Sequence, residues 1–191
     1  IDTQLSDLSA NRTYTFTVKN VNSVGMESAA SSSHTESTLP KAPSLSASST
    51  ASTKTTVNFD VDNNNDNGSL VISGYKVTHS PASGVSQPVG KTPANTAADA
   101  TGVDTSLTGL AANTTYTITC VNTNSVSLDS ASSSSVTATT LPTKPTLTDS
   151  STANTTTTVN VDVNNNNTSG TLNIEKYKIY VGGSLNSTVT K

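Results

Sequence analysis

The chain has 191 residues, 31% of them hydrophobic, a formal net charge of −3, and 67 positions held by Ser or Thr. Leu, Ile, Val and Phe sum to only 37, yet the low net charge departs from the disordered class, so a lean, β-rich array of domains fits better than one ordinary core. A pI near 5.1 leaves no basic footprint for nucleic acid or anionic lipid, while one Cys, two His and no Trp exclude an internal disulfide, a zinc cluster and most catalytic sites.

No apolar run approaches the ~18 residues a membrane span needs, and the opening residues lack the charged-then-apolar pattern of a signal peptide. On that reading the chain is an internal segment of something longer. Along residues 55–61, Val57, Phe59 and Val61 form the expected inward set, with Asn58 and Asp60 facing water. Tyr75 with Val77, and Tyr116 with Ile118 and Cys120, obey the same period of two. Asn-rich, Gly- or Pro-bearing stretches separate these runs, the pattern of half-buried strands in an antiparallel sandwich. The spacing predicts strands at 44–49, 54–61, 71–79, 85–89, 104–108, 114–122 and 132–139, and no helix.

Displaced by 102 positions, the sequence matches itself without a gap. Leu5 meets Leu107, Tyr14 meets Tyr116, Pro40 meets Pro142, Asp60 meets Asp162 and Tyr75 meets Tyr177; 44 of the 89 overlapping positions are identical. A period of this size exceeds the solenoid repeats and equals a complete small domain.

The run from Leu107 through Leu110, Asn113 and Thr115 to Tyr116, Ile118 and Cys120 resembles the E-to-F region of fibronectin type III domains. Tyr116, and Tyr14 one period earlier, are similar to that family's tyrosine corner, which implies a ring packed inward and a hydroxyl bonded to backbone a few residues upstream. The stretch from Val57 through Asn67-Gly68 to Ile72, Gly74, Tyr75 and Val77 resembles its B strand, BC loop and C strand, and Thr-Leu-Pro at 38–40 and 140–142 resembles its domain junctions. The buried Trp common in the family's B strand is replaced by Phe59 and by Val161, which implies a smaller core.

The resemblance implies an all-β fold of tandem immunoglobulin-like (fibronectin type III-like) sandwiches. Residues 1–42 would be the C-terminal half of one domain (strands E, F and G), 43–142 a complete domain, and 143–191 the N-terminal half of a third (strands A, B and C). Ile1 aligns with Val103 and Lys191 with Val89, so the two ends flank the counterpart of one loop. The expectation is a linear polymer of domains, either a continuous array or chains that each donate half a domain to a neighbour.

Sequons occur at Asn11, Asn67, Asn113, Asn154, Asn166, Asn167 and Asn186, a frequency that this Asn- and hydroxyl-rich composition produces by chance. The equivalent pair Asn11 and Asn113 sits in the corner before strand F, where a glycan is expected to project into solvent. Ser and Thr runs such as 132–135 and 155–158 suit O-linked sugars or a β-compatible surface. Asp60, Asp62, Asn64 and Asp66 alternate like calcium ligands, but Gly68 falls one position late and no terminal Glu follows, so a solvated turn is the reading. His34 and His79 read as surface imidazoles, and Cys120, aligned with Val18, as a small core hydrophobe.

With no nucleophile elbow, no paired carboxylates and no base near Cys120, no enzyme activity, cofactor or metal is expected. The composite expectation is a structural repeat segment of an extracellular, glycosylated fibre or surface filament. Its partners would be neighbouring copies of the same repeat and covalent glycans, with no nucleic acid and no membrane span. The alternatives are an adhesion module recognising protein or carbohydrate through its loops, and a spacer attached to a secreted enzyme. An aromatic content of 4% weighs against the module, because ligand sites lean on Tyr, Trp and Arg anchors.

Overall fold

The computed structural model describes residues 3–65, 68–82 and 103–190. Every regular element among them is a β-strand, and every strand pairing is antiparallel. In chain order these are β1 (Thr13–Phe16), β2 (His34–Ser37), β3 (Ser44–Ala47), β4 (Val57–Asp62), β5 (Ile72–Ser80), β6 (Val103–Leu107), β7 (Thr115–Asn124), β8 (Val136–Thr139), β9 (Thr146–Asp149), β10 (Val161–Asn164), β11 (Lys176–Val181) and β12 (Ser184–Thr190).

The centre of the chain forms two three-stranded sheets, ordered β3-β4-β6 and β5-β7-β8, which share one apolar core. Alternation builds it. Along β4, Val57, Phe59 and Val61 are buried while Asn58 and Asp60 are only partly so, and along β7 Tyr116, Ile118 and Cys120 repeat the rule. Ile72, Tyr75 and Val77 of β5 and Leu107 of β6 complete the contact between the sheets. Burying each large side chain contributes about 1.5–3 kcal/mol, so a core this lean depends heavily on Phe59, Tyr75 and Tyr116.

Strand registers repeat with the sequence. Thr13 faces Ser37 and Phe16 faces His34 in β1–β2, as Thr115 faces Thr139 and Ile118 faces Val136 in β7–β8. Likewise Val161 faces Asp149 and Asn164 faces Thr146 in β10–β9, as Phe59 faces Ala47 and Asp62 faces Ser44 in β4–β3. Among the described residues the outer copies carry fewer strands, β1–β2 in the N-terminal segment and β9–β10 with β11–β12 in the C-terminal one. β7 runs ten residues because β5 pairs with it from Thr117 to Asn124, whereas among the described residues β1 has β2 alone beside it and stops after four. Their apolar residues are correspondingly open: Val161 is 45% exposed and Leu147 66%, although Phe59, the counterpart of Val161, is fully buried.

Two expected strands begin three or more residues later than alternation predicts. The run from 54 starts at Val57, because Thr53 N–H donates to the Thr56 carbonyl at 2.9 Å and closes a turn. The run from 132 starts at Val136. Ser133 N–H donates to the Cys120 carbonyl at 2.8 Å and its Oγ accepts from Cys120 N–H at 3.0 Å, so a hydroxyl takes a place in the ladder that backbone would otherwise hold. The strand expected at 85–89 lies outside the described residues.

Candidate functional site

The most elaborate polar constellation is a joint where the corner before β1 meets the loops of the central sheets. Asn11 is 1% exposed and sits at φ 53°, a left-handed conformation that Asn tolerates better than most residues. Its carbonyl accepts from the Ser69 and Leu70 amides at 3.0 Å each. Its Nδ2 donates to the Leu70 carbonyl at 2.7 Å and to Asn65 Oδ1 at 2.8 Å, and its Oδ1 accepts from Asn124 Nδ2 at 2.9 Å. Both ends of the amide are therefore engaged, which offsets the cost of burying it. A Cβ on Gly68 would lie 1.9 Å from Asn65 Oδ1 and 2.9 Å from Asn11 Nδ2, so only glycine lets the loop close over the amide.

A second layer ties the connecting segment to the same loops. Asn122 Nδ2 donates to the Lys41 and Asn63 carbonyls, both at 2.8 Å, and Asn64 Nδ2 donates to the Ala42 carbonyl at 2.8 Å. Asn122 and Asn124 continue the inward alternation of Tyr116, Ile118 and Cys120 and are buried like them. An amide recurring at an inward position was the sequence signal for this site, and periodicity reasoning passed over it.

The joint is built twice. Asn113, at φ 52° and 6% exposed, donates from Nδ2 to the Leu172 carbonyl at 2.5 Å, and its carbonyl accepts from Leu172 N–H at 3.1 Å. Asn166 Nδ2 donates to the Lys144 carbonyl at 3.0 Å, repeating the link from Asn64 to Ala42. A Cβ on Gly170 would lie 2.7 Å from Asn113 Cβ, so this glycine is held to the same role as Gly68.

This geometry corrects the expectation that Asn11 and Asn113 project into solvent: each amide is buried in a joint, and a glycan on Nδ2 would displace its hydrogen bonds. Asn166 and Asn167 are half-buried, the latter donating to the Leu172 carbonyl at 3.0 Å. Asn154 and Asn186 are exposed, and Asn67 lies outside the described residues.

Tyr116 is buried, and its hydroxyl accepts from Ala111 N–H at 2.9 Å; the Tyr14 hydroxyl accepts from Ser9 N–H at 2.8 Å. His79 stands edge-on to the Tyr116 ring with centroids 5.5 Å apart, and His34 lies 3.0 Å from Glu36 in solvent. In the acidic run, Asp62 Oδ1 accepts from Asn64 N–H at 2.9 Å and so shapes the loop, while Asp66 is outside the described residues. No group of acidic, His and Cys side chains with metal-holding geometry occurs among the described residues. Burial pushes the Cys120 thiol up to about 12, so it is protonated at neutral pH and behaves as an apolar group.

No protein-family model matches the chain, and the comparison with curated proteins finds no match.

Proposed function

We propose that this chain is a structural repeat segment of an extracellular fibre or surface filament, made of fibronectin type III-like sandwiches set head to tail. The observation that carries the reading is the repeated joint: Asn11 and Asn113, one period apart, engage equivalent loops through equivalent bonds. A flexible tether of independent modules has no use for a buried amide at each junction, whereas a shaft of fixed geometry does. Hydroxyl- and amide-rich outer faces keep such shafts hydrated and limit edge-to-edge association, with exposed Asn154 and Asn186 as the glycan positions.

The competing reading, loops that recognise a partner, is disfavoured because Asn65, Leu70 and Asn124 are already engaged by Asn11. Spin labels at Ser37 and the exposed Thr117, on either side of the first joint, test the proposal by pulsed dipolar spectroscopy. A narrow distance distribution that broadens on Asn11→Gly is expected. A broad distribution in the unaltered joint overturns the rigid-shaft reading.

A further inference from the structure

The strands after the second joint leave an apolar groove of about 510 Å³, whose lining includes Leu147, Val161, Val163, Tyr177 and Ile179. Each has a counterpart one period earlier, in Leu45, Phe59, Val61, Tyr75 and Val77, which face Leu107, Leu110, Tyr116, Ile118 and Cys120 across the central core. One further period back, those covering residues correspond to Leu5, Leu8, Tyr14, Phe16 and Val18 of the N-terminal segment. That set is also open, with Leu5 57% and Val18 68% exposed.

We propose that the groove is a docking site for residues 3–42 of a second copy of this chain, which completes a sandwich across two molecules; the inference rests on the array reading above. The central sheets are the template for the contact. β5 pairs with β7 with Thr78 opposite Thr119, so β11 takes β1 and its continuation with Tyr180 opposite Thr17 of the second copy. The edges are available on both sides: among the described residues β11 is paired with β12 alone, and β1 with β2 alone.

Polar groups left over at the second joint match the same occupant. In the first joint Asn124 grips the corner Asn and Asn122 grips the connecting segment. Asn22 and Asn20 of the incoming segment stand at those positions, ready for Asn113 and for the Thr143 carbonyl. The Lys76–Asp129 ion pair has its counterpart in Lys178 with Glu27, a carboxylate that Lys19 holds at 2.9 Å within the N-terminal segment and that Lys178 would share on docking. Docking therefore covers the apolar face, extends both sheets and completes the joint together.

The test is register-specific cross-linking of the whole chain. In a Cys120→Val background, Thr17→Cys with Tyr180→Cys places two thiols on paired strand positions, and mild oxidation is expected to give a ladder of covalent oligomers. Thr13→Cys with Tyr180→Cys shifts one thiol four residues along the same strand face, roughly 13 Å, beyond disulfide reach, and is expected to give at least tenfold less ladder. Circular dichroism matched to the parent chain shows that the variants fold. Sedimentation velocity of the parent is expected to show concentration-dependent oligomers, weakened by Ile179→Asp. A monomer at every concentration, equal yields from the two pairs, or a link within one molecule overturns the proposal, the last by making the chain's own N-terminal segment the occupant. Absence of the ladder with a narrow distance distribution at the first joint would leave the rigid shaft standing and remove only the second-copy contact.

Discussion

Asn124 and Asn11 lie 113 residues apart in the chain and 2.9 Å apart in space, Nδ2 donating to Oδ1. The same Asn124 uses its own Oδ1 to accept the Val126 and Leu128 amides at 3.1 and 2.9 Å. One side chain thus closes the loop that carries it and grips the corner of the preceding segment, so the shape of the loop and the seating of the neighbour are a single energetic event. Asn22 closes its own loop in the same way, accepting from Val24 and Met26 at 3.1 and 2.9 Å.

Removing the Asn11 side chain tests that coupling. Asn11→Gly keeps the left-handed backbone accessible but strands Asn124 Nδ2 and Asn65 Oδ1, which is expected to cost about 1–3 kcal/mol. Asn11→Ala adds the strain of a left-handed Ala, about 1 kcal/mol more. Thermal unfolding followed by calorimetry orders the three proteins; equal stability in all three would show that the amide contacts add nothing.

Glycosylation reads the same burial chemically. In a eukaryotic secretory host, glycopeptide mass spectrometry is expected to find sugar at Asn154 and Asn186, which are exposed, and bare side chains at Asn11 and Asn113. Occupancy at Asn11 or Asn113 would mean that the joint forms late or not at all.

The Tyr116 hydroxyl accepts the Ala111 amide, and its ring fills the centre of the core. Tyr116→Phe leaves that amide to water or unpaired and is expected to cost about 1–2 kcal/mol, whereas Tyr116→Ala removes the ring as well and should cost about 3–5 kcal/mol. Denaturant titration distinguishes them. A domain with a core this small has little reserve, so the Ala variant should be largely unfolded at 37 °C.

Cys120 gives a pH dependence with a definite sign. Its folded pKa is raised, from 9.0 to about 12, so its contribution to stability is fully present below pH 9 and is lost as pH rises from 9 to 12. Cys120→Val, which installs the residue found at the equivalent Val18, is expected to change stability at pH 7 by less than about 1.5 kcal/mol. It should also flatten the fall above pH 9, measured as midpoint denaturant concentration against pH. Identical slopes in both proteins would show that the thiol is not the titrating group.

Strand content, the inward faces of the central strands and the 102-residue repeat were legible in the sequence because they are local or self-referential. Alternation at Val57, Phe59 and Val61 reports a half-buried strand whatever it packs against, and the match of Tyr14 with Tyr116 needs no structure. Boundaries were less legible where Ser and Thr intervene, as at Ser133, because a hydroxyl satisfies a ladder position as well as backbone does. The inward amides Asn122 and Asn124 hinted at the joint, but its partners were decided by tertiary structure. A polar corner such as Asn11-Arg-Thr reads as solvent-facing by every local rule, and only the arrival of Asn65, Leu70 and Asn124, from 54 to 113 residues away, turns its amide inward. Sequence records that a side chain is able to form hydrogen bonds; which groups stand within 3 Å to take them is set by how the sheets and their loops come together.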